Sequence, residues 1–394
     1  MMASTPDSTI SAALQQRASR IGLAALGLCL VGMFFNPVQF CRSYLLAYLF
    51  WISLTLGCLA IVMLQHLVRG AWGALILRLM EAGARTLPLM AGAFLPILIG
   101  SGALYVWTRV DVVAGDALLQ HKRAYLNLPF FILRTALYFG VWGALAMALT
   151  KWSRQLEQGV DHATERTLQR RLRRWSGPGL AVYALTVTFA AIDWVMSLEP
   201  HWYSTIYGVL FLIGQLLVAL AFAILVIARC ANRPPFAGVV IPAQVHDLGN
   251  LMLAFVMLWA YVGFSQFVII WSGNLAEEVS WYVHRTQGGW EWIALLLIGV
   301  HFALPFVLLL SRGTKRRLPI LAGLAALLMV MHWLELFWLV VPAFHPASLH
   351  LHWLDIVASI GVGGVWLAVY IQQLRGHALL PVNDPRLQRV APHE

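Results

Sequence analysis

Charged residues are scarce in this chain. Asp, Glu, Lys and Arg make up 11% of its 394 residues and hydrophobic residues make up 60%, against roughly 25% charged and about 45–50% apolar in an average soluble domain. A water-soluble globule is therefore excluded. The mean hydropathy of +0.75 instead predicts an all-α polytopic membrane protein.

Cysteine is nearly absent as well. The chain has four cysteines, Cys29, Cys41, Cys58 and Cys230, and none of them forms a CxxC or CxxCH spacing. The sequence therefore offers no thiolate-ligated zinc or Fe–S site, no covalently attached haem and no disulfide framework. We expect this chain to bind no metal and no redox cofactor through cysteine, so that any redox centre belongs to a partner or binds without it.

Ten apolar runs approach or reach the about 17–25 residues that cross a bilayer. The first is short and follows Arg17 and Arg20 like a signal peptide, but NPVQFCRS behind it has no small-x-small cleavage site, which favours an uncleaved helix. The ten spans are predicted at 21–35, 44–67, 87–107, 127–150, 178–198, 204–228, 248–271, 290–310, 318–341 and 351–374. They predict a cytoplasmic segment at 1–20, an integral membrane domain at 21–375 and a cytoplasmic tail at 376–394.

The basic residues orient these spans. The termini and even-numbered loops carry 21 of the 27 Lys and Arg residues, the odd-numbered loops carry 5, and Arg134 lies inside a span. By the positive-inside rule both termini are cytoplasmic. The loop at 151–177 is the most basic, and its charges predict either a short amphipathic helix at the inner leaflet or a solvated face. The net charge of +10 thus reflects the orientation of the spans in the membrane. We expect contacts with lipids and no nucleic-acid partner.

Four ionisable residues fall inside predicted spans near their outer ends: Arg134, Asp193, Glu335 and Asp355. A charge at mid-bilayer costs at least about 2.5–3.5 kcal/mol on insertion scales, so each needs a partner or a function. With a rise of about 1.5 Å per residue, Arg134 and Asp193 both lie roughly 8–10 Å below the outer surface, where neighbouring antiparallel helices can pair them. Glu335 and Asp355 are predicted in the same layer.

Histidines extend this layer into a candidate proton path. His332 is three residues before Glu335 on one helix face, and His301 lies near mid-membrane, while His246, Asp247 and His66 lie at inner span ends. These positions predict an outer and an inner half-path meeting near His301. The structural alternative is an Arg134–Asp193 pair that fixes helix register, with a protonated Glu335 bonding a neighbouring helix.

Asp193 is the first choice for the central outer proton carrier, with Arg134 controlling its protonation. A tight pairing with Arg134 would keep Asp193 ionised and make it a poor relay. In that case Glu335, with His332 beside it, becomes the better carrier. No residue is predicted to be catalytic.

Two long stretches resemble the ActF-type membrane subunit of bacterial alternative complex III. One is Asp193-Trp-Val-Met-Ser-Leu-Glu-Pro-His-Trp-Tyr-Ser-Thr-Ile-Tyr207. The other is Tyr261-Val-Gly-Phe-Ser-Gln-Phe-Val-Ile-Ile-Trp-Ser-Gly-Asn-Leu-Ala-Glu-Glu278, followed by Trp281-Tyr282 and Gly288-Gly289-Trp290. The ten-span layout agrees with that family over nearly the whole chain.

The resemblance implies a subunit of a quinol:cytochrome c, or other acceptor, oxidoreductase in the bacterial cytoplasmic membrane, related to the NrfD and PsrC subunits. It implies two four-helix bundles with flanking helices. It also implies that haem c and Fe–S centres lie in partner subunits, namely a multihaem cytochrome c and an Fe–S protein, beside a homologous NrfD-like subunit. ActF-type chains are labelled quinone-binding but proposed to conduct protons, so quinone or quinol contact is a secondary expectation.

Two other functions remain open on the sequence alone. A stand-alone ion or solute carrier would also use polar half-paths, and the interior prolines Pro96 and Pro305 predict the broken helices that carriers contain. A purely structural membrane anchor would use the polar residues for packing only.

Overall fold

The structure, a computed structural model, describes residues 8–156, 161–375 and 378–380. Within these ranges the chain is helical, and ten helices are long and apolar enough to cross a membrane, which confirms the predicted class and count. The chain is thus a multi-pass helical membrane protein. The ten helices are α1 (Ala12–Phe35, within a helix that begins at Ser8), α2 (Pro37–Val68), α3 (Ala71–Ile99), α4 (Leu128–Gln155), α5 (His162–Leu198), α6 (Tyr207–Cys230), α7 (Pro242–Gly273), α8 (Trp290–Leu310), α9 (Leu318–Ala343) and α10 (Trp353–Leu374).

Short helices connect the spans. On the outer side these are Ser101–Leu104, Val106–Thr108, Val110–Ala114, Ala117–Lys122 and Ala276–Val283, and on the inner side Arg312–Arg316. Most of the predicted C-terminal tail at 376–394, and residues 1–7 of the predicted N-terminal segment, lie outside the described ranges.

The helices form two four-helix bundles. Helices α2 to α5 pack together as the first bundle and α6 to α9 as the second, and α2 packs against α6 to join them. Helix α10 flanks α2, and α1 packs along α10. The α1 and α10 backbones touch where glycines face each other, since a Cβ at Gly364 would lie 2.5 Å from Cα of Gly22. Small residues allow this close helix contact in a membrane.

The predicted limits of the third span were wrong. It was expected at 87–107, but α3 begins at Ala71 and its first part, Ala71–Ala84, is buried against α2. The charges that broke the hydropathy signal, Arg78 and Glu81, form an ion pair of 2.6 Å inside the fold, and Arg78 also donates to Ser153 Oγ at 3.0 Å. Arg78 is therefore not a loop residue. When it is left out of the count of basic loop residues, the inner side still has far more of them than the outer side.

The basic segment before the fifth span is not a separate helix. His162–Trp194 is one continuous α-helix of 33 residues with Pro178 inside it. At about 1.5 Å per residue it is roughly 50 Å long, which exceeds the approximately 30 Å hydrocarbon core. Because Arg166 to Arg174 lie at its inner end, this basic half extends the membrane helix beyond the inner boundary.

Candidate functional site

Arg134 and Asp193 form a closed ion pair between α4 and α5 of the first bundle. Arg134 Nε donates to Asp193 Oδ2 at 2.8 Å and Nη2 donates to Oδ1 at 2.9 Å. The hydroxyl of Tyr138 donates to the same Oδ2 at 2.7 Å, and Arg134 Nη1 donates to the carbonyl of Tyr125 at 2.9 Å. Asp193 is fully buried. The pairing expected from depth is confirmed, and it is bidentate, the strongest geometry for such a pair.

Aromatic rings enclose this pair. Arg134 stacks over the ring of Tyr125 at 3.8 Å, and Trp194, next to Asp193 in the chain, packs against Phe94 at 4.9 Å and Phe139 at 6.0 Å. Each carboxylate oxygen of Asp193 thus accepts at least one hydrogen bond, and the side chains around the pair are mainly apolar. The Arg134–Asp193 pair thus meets the condition under which Asp193 is a poor proton relay and Glu335 the better carrier.

Glu335 lies in the second bundle, and some of the polar atoms around it have no hydrogen-bond partner among the described residues. Trp259 Nε1 of α7 donates to Glu335 Oε1 at 2.5 Å, and His332 Nδ1 lies 2.9 Å from Oε2. His301 of α8 stacks flat on Trp259, with ring centroids 4.2 Å apart and planes 9° apart. All three ionisable side chains are buried, yet His332 Nε2 and both ring nitrogens of His301 have no hydrogen-bond partner among the described residues.

The backbone shapes this second group. Residues Leu297–Ala303 form a π-helix that contains His301, an uncommon geometry found frequently at functional sites. On the facing helix α6, a Cβ at Gly214 would lie 2.8 Å from His332 Cε1. Gly214 therefore leaves the space that His332 occupies. We call Glu335, His332, His301 and Trp259 the Glu335 cluster.

Asp355 belongs to neither group. It lies in the first turn of α10, where Oδ2 accepts from the backbone N–H of His352 at 2.9 Å and Oδ1 accepts from Ser43 Oγ at 2.5 Å. This capping arrangement closes the helix N-terminus and ties it to α2. The four residues predicted in one layer thus form three separate groups, and no hydrogen bond between described residues joins them.

The inner residues divide between the bundles. His246 and Asp247 lie in the first turns of α7, and His66 lies near the inner end of α2 in the other bundle. Asn250, one turn after His246, donates through Nδ2 to the His246 ring at 3.2 Å and accepts from Lys315 Nζ at 2.7 Å. Lys315 is buried although the sequence marked it only as a basic loop residue.

Sequence reasoning also missed Arg285, a fully buried cation on the outer side. Its Nη2 donates to Glu199 Oε2 at 2.5 Å and to the Leu339 carbonyl at 2.8 Å, and its guanidinium lies 3.9 Å from the Trp281 ring centroid. The only signal was its position between two aromatic motifs, which does not distinguish a buried arginine from a loop arginine.

Arg285 and Gln266 hold the two motif stretches together. Gln266 Oε1 accepts from Ser204 Oγ at 3.1 Å, and Gln266 Nε2 donates to the hydroxyl of Tyr282 at 3.4 Å. Because Glu199 and Ser204 belong to the first stretch and Gln266 to the second, the two stretches form one outer surface.

Three histidines stack in the loop between α9 and α10. The rings of His345 and His350 are 4.4 Å apart, and those of His350 and His352 are 6.1 Å apart. Burial, together with the nearby His350 and Arg42, lowers the pKa of His345, which favours the neutral ring that accepts from Arg42 Nη1 at 3.1 Å. Within the described ranges, no group of three His, Cys, Asp or Glu side chains is placed to hold a metal ion.

Neither a scan against protein-family models nor a search of curated proteins finds a significant match to this chain. The resemblance to the alternative complex III subunit therefore stays a prediction from the motif residues.

Proposed function

We propose that this chain conducts protons across the bacterial cytoplasmic membrane as a subunit, without a redox cofactor of its own, of a quinol:cytochrome c or related oxidoreductase complex. The observation that carries the proposal is the Glu335 cluster, a buried carboxyl group held between a tryptophan and a histidine. An intramembrane ionisable residue is costly and marks proton relays in pumps and transporters. Both ring nitrogens of His301, and Nε2 of His332, have no hydrogen-bond partner in the described part of the chain, and they supply further sites that can take and release a proton.

The inner end of this path is the group formed by His246, Asp247, Asn250 and Lys315. Asp247 is half exposed there, so protons can enter from the cytoplasmic side, and Lys315 Nζ bonded to Asn250 provides a second protonatable group. Between Asn250 and Trp259 the helix rises by about 13 Å, and Met252 and Val256 are buried along that interval. We assign this apolar interval as the gate.

Assembly into a complex is supported by the outer surface that the two motif stretches form. Tyr203 of the first stretch and Trp271 of the second are more than half exposed, and exposed aromatic side chains are enriched where protein partners dock. The proposed partners are a multihaem cytochrome c, an Fe–S protein and a homologous NrfD-like subunit, which would hold the haem c and Fe–S centres. We assign quinol oxidation to the homologous NrfD-like subunit that adjoins the Fe–S protein, and a quinone-facing surface on this chain stays a prediction.

Affinity purification in mild detergent tests the assembly. The tagged chain is expected to elute with haem c absorbance and an Fe–S signal in electron paramagnetic resonance. Elution of the chain alone, combined with solute-dependent ion uptake after reconstitution into liposomes, would instead identify a stand-alone carrier. Elution of the chain alone, without ion uptake after reconstitution, would indicate a membrane anchor.

Substitution of the buried lysine tests the inner end of the path. Lys315→Met removes the protonatable group beside Asn250, so proton uptake from the inner side of the reconstituted complex should slow by on the order of tenfold or more. Arg316→Met removes the same charge from the next, exposed residue and should leave uptake unchanged. Equal rates in both variants, followed with a pH-sensitive dye, would remove Lys315 from the path.

A further inference from the structure

An apolar groove runs along the membrane-facing side between α3 and α4 of the first bundle. Its volume is about 570 Å³. Phe139, Gly143 and Met147 follow one another at four-residue spacing on α4, and Leu87 and Pro88 face them from α3. Because α3 is broken near Arg85 and Ala93, it does not close against α4 there. From Phe139 to Arg154 the groove extends about 22 Å, about the length of an acyl chain.

The inner end of the groove is basic. Arg85, Lys151 and Arg154 line it, and no carboxylate is among its lining residues. Glu81 lines a small adjoining cavity with Arg85 and Arg154, but its ion pair is with Arg78. Trp152 packs against Trp175 with ring centroids 6.0 Å apart, and tryptophans gather at the level of the lipid headgroups. The basic end therefore lies at headgroup depth, and the apolar walls extend from it into the hydrocarbon region.

Arg85 has hydrogen-bonding capacity that the described residues leave unused. Its Nη2 donates to the carbonyl of Gln373 at 2.6 Å. Its Nε and Nη1 are shielded from solvent, yet they have no acceptor among the described residues. A buried guanidinium nitrogen without an acceptor is costly, and an anionic oxygen at this end of the groove would relieve that cost.

We propose that this groove binds one anionic phospholipid of the inner leaflet. Its phosphate lies against Arg85, Lys151 and Arg154, and an acyl chain lies along Gly143 and Phe139. Basic pockets between membrane helices on the cytoplasmic side bind anionic headgroups in this way. The site is distinct from the Glu335 cluster, because it is in the other bundle and on the lipid-facing surface.

Two variants test the two parts of the site, and each has a matched control. Arg85→Gln combined with Lys151→Gln removes two charges from the basic end. Its control, Arg170→Gln combined with Arg171→Gln, removes the same charge from the exposed inner part of α5. Gly143→Leu places a side chain in the groove without changing the charge. The fold can accept this side chain because a Cβ at this position meets nothing within 4 Å. Gly140→Leu is its control, because that position is equally open but does not line the groove.

The measurement is native mass spectrometry of each variant, purified with its partners and titrated with phosphatidylglycerol or phosphatidylcholine. The charge variant should bind phosphatidylglycerol about 25-fold more weakly, at about fivefold for each cation near the headgroup. Gly143→Leu should lose the bound lipid, whereas both controls should retain wild-type binding. The binding should also weaken with added salt.

The proposal would be overturned if the charge variant and its control bound phosphatidylglycerol equally well. It would also be overturned if the unsubstituted chain bound phosphatidylcholine as tightly as phosphatidylglycerol. Retention of a quinone instead of phospholipid in the unsubstituted chain, lost in Gly143→Leu, would assign the groove to a different ligand and would also overturn it. Melting temperatures of all four variants, measured in phosphatidylcholine alone, separate loss of the ligand from loss of folding.

Discussion

Replacing Glu335 by glutamine is expected to abolish proton translocation by the assembled complex while electron transfer continues. The amide oxygen still accepts from Trp259 Nε1, and the amide nitrogen can donate to His332 Nδ1, so both contacts of the carboxyl group keep their geometry. Only the ability to take up and release a proton is lost. We expect proton release per electron to fall to the value of the redox reaction itself, measured with a pH-sensitive dye outside proteoliposomes.

Asp111→Asn is the matched control for this variant. Asp111 is an exposed carboxylate on the outer helix Val110–Ala114 and belongs to neither motif stretch, so its neutralisation changes net charge equally and should leave the stoichiometry at the wild-type value. If Glu335→Gln also keeps the wild-type stoichiometry and turnover, the Glu335 cluster is a packing element and the conduction proposal fails. A loss in both variants would indicate an effect of net charge on assembly.

Replacing Arg134 by methionine is expected to have the largest effect on folding. It leaves the fully buried carboxylate of Asp193 without its cation. Breaking a buried pair on one side costs about 3–5 kcal/mol, a large part of the roughly 5–15 kcal/mol that stabilises a typical soluble domain. The folded yield and the melting temperature in detergent should both fall sharply.

Removing the whole polar group should restore stability. Arg134→Met combined with Asp193→Leu and Tyr138→Phe leaves no charge unpaired, and it also removes the hydroxyl that donates to Asp193. Well-packed apolar replacements of buried pairs are often neutral or stabilising. We therefore expect the triple variant to melt close to the unsubstituted chain and to translocate protons normally.

The triple variant also separates the two candidate carriers. If it folds normally but loses proton translocation, Asp193 is part of the path in spite of its saturated hydrogen bonds. If it folds normally and translocates, the Arg134–Asp193 pair only fixes the register of α4 against α5. Failure of the triple variant to fold would show that the pair contributes more to stability than apolar packing can replace.

Local sequence signals predicted the parts of the site that depend on one helix or on matched depth. His332 and Glu335 meet because residues three apart share a helix face, and Arg134 meets Asp193 because both lie equally deep on consecutive antiparallel helices. Trp259 could not be assigned to Glu335, nor His301 to Trp259, because these contacts depend on how α7, α8 and α9 rotate about their axes. Hydropathy does not encode that rotation when a helix is apolar on nearly every side.

Charge pairing explains the two largest errors. Arg78 and Glu81 look like loop residues because a hydropathy window treats each as exposed, although in the fold they neutralise each other inside the protein. Asp355 looked like a member of a polar layer, whereas its carboxylate caps α10. Both errors follow from assigning a charge to solvent or to function before its partner is known.

By itself the sequence determined the class of protein and the number of crossings, because these follow from the transfer of side chains between water and lipid. Its basic residues also predict the orientation. Only the tertiary structure decided that Asp193 is paired with Arg134, whereas Glu335 lies beside histidine nitrogens that have no hydrogen-bond partner among the described residues. That distinction depends on distances of a few ångströms between helices far apart in the chain, and it moved the candidate proton carrier from Asp193 to Glu335.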